Sequence, residues 1–496
     1  MARLLRGLAL LHRWLGALFC FPFAVWFASG IVLVFVGFPG ISQQERLERA
    51  VALDPQRVVL SLPEAARGIG FVPERIGLGM LADVPVWRFQ RGADFAAVSA
   101  EDGQRVAPLS EALALRVGAA FLGPSAGAVQ RHELLDEPDQ WTPHVRPNGQ
   151  LPVLRLFADD AAQTQVYVSL PRARVIQHTT STSRGLAWIG AIPHWWYPIA
   201  LRQHAAAWRQ VVLVGAGLAT LVCLLGLVLG LLRLRRQAHA ELLRRWSPYA
   251  DVWLRWHHLL GLAFGFLSLT WVFSGMLSLN PGGWSPGAEP SDEEISAFSG
   301  PATPLDQLAL GAREALERCS RELSVKSLEL VRVSGHPYWL CASISPASRL
   351  LDANAPQAMA RSELPLAELT RAARAAVPAE LLEASALESP GDAYVYPTHL
   401  DPDLAFPLVR FKFADGTWLY ADPQAARLLR RYDARSRAER WLYTGLHRLD
   451  FGALYRKRWL WTSVICLLCS LGAAFSLTGI VIATRWLRRR YKPVSS

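Results

Sequence analysis

Four histidines occupy two positions that recur in the two halves of the chain, and they carry its clearest chemical signal. His257 lies in the stretch LRWHHLLGLAFG, where a long apolar run begins, and His12 occupies the same place in LLHRWLG. His194 ends the stretch WIGAIPH, and His447 ends the stretch WLYTGLH. Ionisable side chains at the edge of a lipid-spanning run are costly, and they often mark a functional site. Because imidazole is a common metal ligand, these positions suggest metal ligation.

An internal repeat relates these histidines to one another. The stretch LLHRWLGALFCFPFAVWFASG overlays RWHHLLGLAFGFLSLTWVFSG without a gap, which places His12 on His257 and leaves His258 without a counterpart. Upstream of the second pair, PVLRLFADDAAQTQVYVSLPRAR corresponds to PLVRFKFADGTWLYADPQAAR, and VPVWRF corresponds to HPYWLC. The two halves are predicted to be a parallel repeat about an axis along a membrane normal.

Four apolar stretches must position the histidines, and each is long enough to cross a bilayer, which takes about 20 residues. They are residues 14–39, 211–232, 259–280 and 460–484. Basic residues flank alternate ends of these stretches: Arg3, Arg6 and Arg13; Arg233, Arg235, Arg236, Arg244 and Arg245; Arg255; Arg485, Arg488, Arg489, Arg490 and Lys492. The positive-inside rule therefore predicts that both termini and the short link 233–256 are cytoplasmic. This topology accounts for most of the net charge of +11 and argues against nucleic-acid binding.

The predicted fold class is an integral membrane α-helical protein, with four transmembrane helices in a bundle and two periplasmic α+β domains. The predicted segments are transmembrane helix 1 with a cytoplasmic N-terminus (1–39), periplasmic domain 1 (40–207), transmembrane helix 2 with the cytoplasmic link (208–256), transmembrane helix 3 (257–280), periplasmic domain 2 (281–456) and transmembrane helix 4 with a cytoplasmic C-terminus (457–496). The first apolar run is too long for a signal-peptide core, so we expect a retained anchor. Alternating apolar residues at 166–170 and 408–413 predict strands, and residues 304–318 and 366–376 are typical of helices.

Paired histidines in a helix bundle indicate a haem site. Two imidazoles from facing helices can bind one haem iron from both sides, and bundle cores are common places for such sites. Gly16 and Gly261 lie one turn beyond their histidines on the same helix face and can leave room for a flat macrocycle. Gly30 and Gly275 lie further along the same two predicted helices, on nearly the same face as the histidines. The alternative is that the histidines are interfacial residues and that the glycines serve helix packing.

The motif HRWLG, followed by the Ser-Gly of the first apolar run, and the run FADGTWLYADP…RWLYTGLHRLDFG resemble the PepSY-associated transmembrane family. The resemblance covers nearly the whole chain, although IPHWWYP replaces the usual histidine-glycine pattern in the first half. That family includes iron-regulated inner-membrane proteins and siderophore ferric reductases. The resemblance implies PepSY-like periplasmic domains and two b-type haems, with His12, His257, His194 and His447 as axial ligands. His258 and His204 are the substitute ligands.

The resemblance also implies a path for electrons in a bacterial inner membrane. A cytoplasmic-side haem on His12 and His257 would accept electrons from a quinol or a separate flavoprotein. A periplasmic-side haem on His194 and His447 would pass them to a ferric siderophore or another ferric chelate. Bis-histidine ligation leaves no open iron position, so the haems would relay electrons, and no further catalytic side chain is predicted.

His194 and His447, on the predicted periplasmic side, are called the outer histidines, and residues near them allow two interpretations each. Asp450 follows His447 by three residues and either orients that imidazole or is solvated. The aromatic run Trp195, Trp196 and Tyr197 is either a membrane-interface belt or the lining of a pocket for an organic chelate.

The six cysteines bear on stability more than on mechanism. Cys466 and Cys469 form a CxxC in an apolar run, where a small buried hydrophobic residue is the simpler interpretation. Cys319 and Cys341 fall in the predicted oxidising compartment, where a disulfide between them is possible.

Two other classes of function compete with electron transfer. PepSY domains resemble protease-inhibitory modules, so a non-redox membrane module that binds a protein or peptide is the main alternative, and it predicts no cofactor. A metal transporter is less consistent with the sequence, because the spanning interiors contain almost no ionisable or amide side chains. A metal ion would also usually need more ligands than two histidines.

Overall fold

The computed structural model describes residues 2–123, 128–236, 247–344, 348–396 and 404–490. The chain divides into two compact units. The helical unit comprises Met1–Phe38, Gly185–Ser285 and Arg437–Ser496, and the sheet unit comprises Pro39–Arg184 and Pro286–Ser436. The predicted cytoplasmic residues Arg244, Arg245 and Lys492 lie outside the described residues.

The described residues contain sixteen α-helices, of which four are long and apolar. In chain order they are α1 Ala2–Phe35, α2 Gln43–Arg49, α3 Leu62–Ala65, α4 Glu111–Leu122, α5 Ser181–Ile189, α6 Ala191–Trp195, α7 Ile199–Arg202, α8 Ala205–Arg236, α9 Val252–Leu277, α10 Asp292–Ser299, α11 Ala312–Cys319, α12 Leu366–Ala376, α13 Ala434–Glu439, α14 Leu446–Arg448, α15 Gly452–Tyr455 and α16 Arg458–Arg490. A π-helical turn, Arg440–Gly445, joins α13 to α14.

Four helices, α1, α8, α9 and α16, are each long and apolar enough to cross a membrane, as predicted. Each begins before the charge-free stretch that identified it, and α8 and α16 also end beyond their stretches, because arginine is a good helix former and the backbone hydrogen bonds continue through the basic ends. His12 and His257 therefore lie inside α1 and α9, about three turns and one and a half turns from the helix starts.

The four long helices form a closed bundle. Both α1 and α9 pack against α8 and α16, so α1 and α9 face each other across the bundle. At its centre the rings of Phe27 and Trp271 lie 5.8 Å apart, and Gly472 makes room for Phe27. The short helices α6 and α14 pack against α1 and α9, respectively. The polypeptide that carries the outer histidines is thus held on the two facing helices.

The sheet unit contains fourteen strands in the described residues, arranged in three antiparallel sheets. In chain order they are β1 Arg75–Leu81, β2 Val84–Arg91, β3 Asp94–Ser99, β4 Val129–Leu135, β5 Val153–Ala158, β6 Gln165–Ser169, β7 Arg174–Thr179, β8 Ser327–Val333, β9 His336–Ala342, β10 Ser348–Asp352, β11 Leu381–Leu387, β12 Leu408–Phe413, β13 Trp418–Asp422 and β14 Arg427–Tyr432. The strands predicted at 166–170 and 408–413 and the helix predicted at 366–376 are confirmed as β6, β12 and α12. The helix predicted at 304–318 is shorter, because its regular part starts only at Ala312.

A six-stranded sheet with the order β10-β9-β8-β1-β2-β3 joins the two halves of the sequence. Its central pair is β1 with β8, and Gly77 lies opposite Glu329. Two four-stranded sheets, β4-β5-β6-β7 and β11-β12-β13-β14, belong to one half each. The two loop regions predicted as periplasmic domains therefore share one sheet and form one compact unit.

The segments of the sheet unit end earlier in the sequence than the predicted domains. The sheet unit ends at Arg184 and at Ser436, whereas the predicted domains ran on to 207 and 456. Residues after these points pack with the long helices because α6 and α14 cover the ends of α1 and α9. The segments that carry His194 and His447 thus belong to the helical unit.

A disulfide links Cys319, at the end of α11, to Cys341 in β9. It joins residues 22 positions apart in the core of the sheet unit, where both side chains are buried. The pairing that the sequence left open is therefore present, and Cys466 and Cys469 are free thiols.

Candidate functional site

Each predicted histidine pair is brought together in the helical unit. The ring centres of His12 and His257 are 6.5 Å apart with their planes inclined by 46°. Those of His194 and His447 are 6.2 Å apart and inclined by 69°. A bond from a metal to an imidazole nitrogen is about 2 Å long, so rings on opposite sides of one iron have centres roughly 6 Å apart. Both spacings match that of two axial ligands of one iron.

His12 and His257 are called the inner histidines. Their Nδ1 atoms form hydrogen bonds to two different helices. His12 Nδ1 lies 3.2 Å from the backbone oxygen of Val222 in α8, and His257 Nδ1 lies 3.0 Å from Thr478 Oγ1 in α16. The Thr478 hydroxyl donates its proton to the Phe475 carbonyl, so it accepts from His257. Both rings therefore carry their proton on Nδ1.

The outer histidines follow the same pattern. His194 Nδ1 lies 3.1 Å from Ser29 Oγ, and this hydroxyl donates to the backbone oxygens of Val25 and Trp26. His447 Nδ1 donates to the Trp271 carbonyl at 3.0 Å, and Ser274 Oγ lies 3.3 Å away. The hydrogen-bond network again assigns the proton to Nδ1 of both rings.

The Nε2 atoms of the four paired histidines have no hydrogen-bond partner among the described residues. A neutral imidazole protonated on Nδ1 presents a lone pair on Nε2, which is the form that binds metals. Burial, together with the nearby His447, lowers the pKa of His194 to about 3. Burial also lowers the pKa of His447. Both outer rings are therefore uncharged at neutral pH and suited to ligation.

Every one of the four rings lies against a glycine of another element. A Cβ at Gly226 would be 2.9 Å from Cε1 of His12, and a Cβ at Gly275 would be 3.1 Å from Cε1 of His447. At Gly30 and Gly479 the corresponding distances, to His194 and His257, are both 3.6 Å. These glycines let the imidazoles approach the helix backbones.

The glycines singled out in the sequence play different roles. A Cβ at Gly16 would meet no atom within 4 Å. Gly261 instead packs against the ring of Phe475, where a Cβ would lie 3.4 Å from the nearest carbon. Gly30 and Gly275, predicted to make room for a macrocycle, accommodate the outer imidazoles.

The substitute ligands are placed elsewhere. Both ring nitrogens of the buried His258 are engaged, Nδ1 with Ser247 Oγ at 3.2 Å and Nε2 with the Gly230 carbonyl at 3.1 Å. His204 is exposed in the turn between α7 and α8. The structure brings neither of them into a facing pair.

Asp450 does not orient His447, and the interpretation of it as a solvated residue is also wrong. Its buried carboxylate accepts a hydrogen bond from Arg440 Nη1 at 2.9 Å, and Arg440 Nη2 donates to the Asp450 backbone oxygen at 3.2 Å. The chain reverses direction at Leu449, which has φ +49°, and this turn directs Asp450 to the π-helical turn. The ion pair therefore fixes the loop that carries His447.

The aromatic run after His194 packs within the helical unit. The ring of Trp196 lies 6.2 Å from that of Trp26 in α1, and the ring of Tyr197 lies 5.3 Å from that of Trp208 in α8. Trp208 Nε1 donates to the Trp195 carbonyl at 3.0 Å. These contacts anchor the α6 segment that holds His194.

Among the described residues, no group of three or more His, Cys, Asp or Glu side chains could hold a metal ion. Two facing imidazoles suit an iron whose remaining ligands come from a macrocycle, because they supply only the two axial positions. The residues present therefore fit a porphyrin-bound iron better than a bare metal ion.

The helical unit and the sheet unit together define a membrane protein with a four-helix bundle, antiparallel sheets and a histidine pair near each end of the bundle. The family of the PepSY-associated TM region matches residues 9–489, and the chain belongs to that family. No curated protein matches the sequence.

Proposed function

We propose that the protein is a dihaem b-type electron-transfer protein. Two facing pairs of imidazoles carry the proposal. In each ring the Nδ1 proton is hydrogen-bonded, and Nε2 has no hydrogen-bond partner in the part of the chain that the structure describes. His12 and His257 would hold one haem, and His194 and His447 would hold the other. The bound haem supplies a one-electron couple, and the chain supplies ligands, orientation and an apolar surrounding.

The proposed location is a bacterial inner membrane with both termini in the cytoplasm. Basic residues at the cytoplasmic ends of the helices support this orientation through the positive-inside rule. The Cys319–Cys341 disulfide supports an oxidising compartment for the sheet unit, because such bonds persist in the periplasm and are rare in the cytosol. The inner pair would then be the cytoplasmic pair, and the outer pair would be the periplasmic one.

The proposed reaction is transfer of electrons from a quinol or a separate flavoprotein to a periplasmic ferric chelate such as a siderophore. The donor and the acceptor rest on the resemblance to siderophore ferric reductases, and fold alone does not assign a substrate. The paired histidines would hold the iron from both sides and leave no open position, which would favour electron relay over oxygen binding.

Visible spectra of the full-length protein, expressed with ample haem and purified in detergent, test the proposal. We expect a Soret band that shifts, and a sharp α-band that appears, when dithionite is added. Chemical analysis should find two haems per chain. A folded, colourless and iron-free preparation would overturn the proposal and would favour the alternative, a non-redox PepSY module that binds a protein or peptide.

A further inference from the structure

A cleft of about 250 Å³ opens in the sheet unit between α2, α4, the end of β1 and the start of β8. Its charged lining residues are Arg46, Arg49, Arg88, Arg174 and Lys326, with Glu329 as the single carboxylate. Of the five cations, Arg49 pairs with Glu45 at 3.1 Å, and the lining keeps a net positive charge. It lies outside the histidine sites and plays no part in the proposed electron transfer.

Three of the arginines have no carboxylate within 4 Å among the described residues. Arg46 Nη1 donates to the Val175 carbonyl at 2.7 Å, and Arg88 Nη2 donates to the Met80 carbonyl at 3.4 Å. The third, Arg174, forms no ion pair with any described residue. Carbonyl contacts orient a guanidinium group but leave its charge without a counter-ion. Arg174 is exposed, whereas Arg46 and Arg88 are partly buried, and partly buried charges are unfavourable unless they are paired.

The arginines also act on one another. Burial, and then the charge of Arg174, lowers the pKa of Arg88 to about 10. The same two causes lower the pKa of Arg46. Burial and the nearby Arg172 lower the pKa of Arg174. The cationic groups are therefore close enough to repel each other, and a bound anion would relieve that repulsion.

The second half of the chain provides an internal control for this cleft. Ser42 and Ser291 are the equivalent N-caps of α2 and α10. Glu45 pairs with His178 in β7 at 3.3 Å, as Glu294 pairs with Arg431 in β14 at 3.0 Å. These matching contacts align the two halves residue by residue around the cleft.

Hydrophobic residues occupy the equivalent positions in the second half. In the alignment Ile295 replaces Arg46, Phe298 replaces Arg49, and Leu340 replaces Arg88. Phe298 and Leu340 are buried in one apolar cluster. The fold therefore packs without cations at these positions, so their presence in the first half is not a requirement of the architecture.

Two further differences open the first-half cleft and leave it charged. Gly79 stands where the second half has Val331, which packs against the apolar cluster. A Cβ at Gly79 would lie 3.1 Å from Arg88 Nη1, so the missing side chain makes room for the guanidinium. Arg174 lies opposite Ser169, whereas its equivalent in β14 lies opposite the carboxylate of Asp422.

We propose that this cleft binds a small oxyanion, namely a phosphate group or a compact polycarboxylate. Guanidinium groups bind both kinds of oxygen with paired hydrogen bonds. The volume of about 250 Å³ lies below the usual range for drug-sized ligands and suits a small one. The proposal is independent of the haem assignment, since none of its residues lies in the helical unit.

Isothermal titration of the full-length protein in detergent tests the proposal, with inorganic phosphate and citrate as separate probes and chloride at equal ionic strength as the blank. We expect saturable binding of at least one probe, and the stronger one identifies the ligand class. The variants Arg88→Leu and Arg46→Ile carry the side chains of the second half, so they should fold. Each should weaken binding about tenfold or more, the loss of one charge-assisted contact.

Arg116→Leu is the matched control, because Arg116 is exposed on α4 and pairs with Asp83 at 2.6 Å outside the cleft. It should bind the probe with unchanged affinity. Arg174→Gln serves as an independent second variant if Arg88→Leu fails to fold. Binding no stronger than that of chloride, or equal affinity in the wild type, Arg88→Leu and Arg174→Gln, would overturn the proposal.

Discussion

Each of the four paired imidazoles forms a hydrogen bond through Nδ1 and packs against a glycine of another element. Thr478 and Ser29 hold His257 and His194 through hydroxyl oxygens whose protons are already donated to backbone carbonyls. Because Nδ1 is the donor in these hydrogen bonds, the lone pair of each ring lies on Nε2. The protein alone thus fixes the orientation of the imidazoles, which would lower the ordering cost of binding the proposed haems.

The substitution His12→Ala should reduce haem content from two haems per chain to one. The inner site loses one axial ligand, while His194 and His447 remain intact at the other end of the bundle. Pyridine haemochrome analysis of the purified variant measures the ratio. His258→Ala is the control, because both of its ring nitrogens are bonded to protein groups, and it should keep two haems. Equal haem content in wild type and His12→Ala would refute the ligand assignment.

The substitution Thr478→Val should weaken the inner site without removing a ligand. His257 loses the acceptor of its Nδ1 proton, and loss of such a partner usually lowers metal affinity about 10- to 100-fold. The rate of haem loss to an excess of an apo-acceptor protein measures the effect. Thr484→Val, in the same helix but bonded only to backbone oxygens, should behave like the wild type. A rate of haem loss that is unchanged in Thr478→Val would contradict the role of the hydroxyl.

The sequence predicted the histidine pairs but not all the residues that support them. The repeat exposed the Ser-Gly motifs at Ser29 and Ser274, and these serines lie next to the outer imidazoles. Gly226 and Gly479 gave no such signal, because their contacts with His12 and His257 join helices that are distant in sequence. A single glycine in an apolar helix is consistent with packing against any neighbour.

The elements differ in how firmly they hold the histidines. The inner histidines lie within long helices, whereas His194 and His447 lie in short helices, α6 and α14, that need support from their surroundings. The support for α14 comes from the π-helical turn and the Arg440–Asp450 pair. The sequence could not reveal this pair, since Asp450 lies as near to His447 along the chain as a direct partner would.

The substitution Arg440→Met should destabilise the outer site selectively. It removes the guanidinium that compensates the buried carboxylate of Asp450, and breaking such a pair usually costs about 3–5 kcal/mol. We expect loss of the outer haem with retention of the inner one, as measured by haem stoichiometry. Arg435→Met, an exposed position in α13, should leave both haems in place. Retention of two haems in Arg440→Met would show that the loop does not depend on the pair.

At the scale of the whole molecule, the duplication produced one sheet unit and one helical unit from two halves of the chain. The sequence predicted the four spans and the α+β character of the loops, because apolar runs and alternation are local signals. It did not predict that β1 and β8 would pair, since alternation identifies a strand but not its partner. The shared sheet makes the folding of each loop region depend on the other.

The double substitution Cys319→Ser and Cys341→Ser should destabilise the sheet unit. The bond closes a loop across 22 residues, for which about 3 kcal/mol of stabilisation is expected. Thermal unfolding followed by the tryptophan fluorescence of the full chain measures the change. The wild type treated with a reductant should reproduce the shift, and the double variant should be insensitive to it. A midpoint that is identical in all four conditions would show that the disulfide carries no stability.

The distance between the two histidine pairs has an electrical consequence. His12 and Gly30, which contacts His194, are 18 residues apart on α1, and His257 and Gly275 have the same spacing on α9. At 1.5 Å per residue this corresponds to about 27 Å along the helices, nearly the hydrocarbon thickness of a bilayer. In the proposed direction each electron would therefore cross most of the membrane field and make turnover electrogenic. An inside-negative potential of 100 mV would assist each electron by about 2.3 kcal/mol, and in proteoliposomes it should accelerate reduction of an external acceptor.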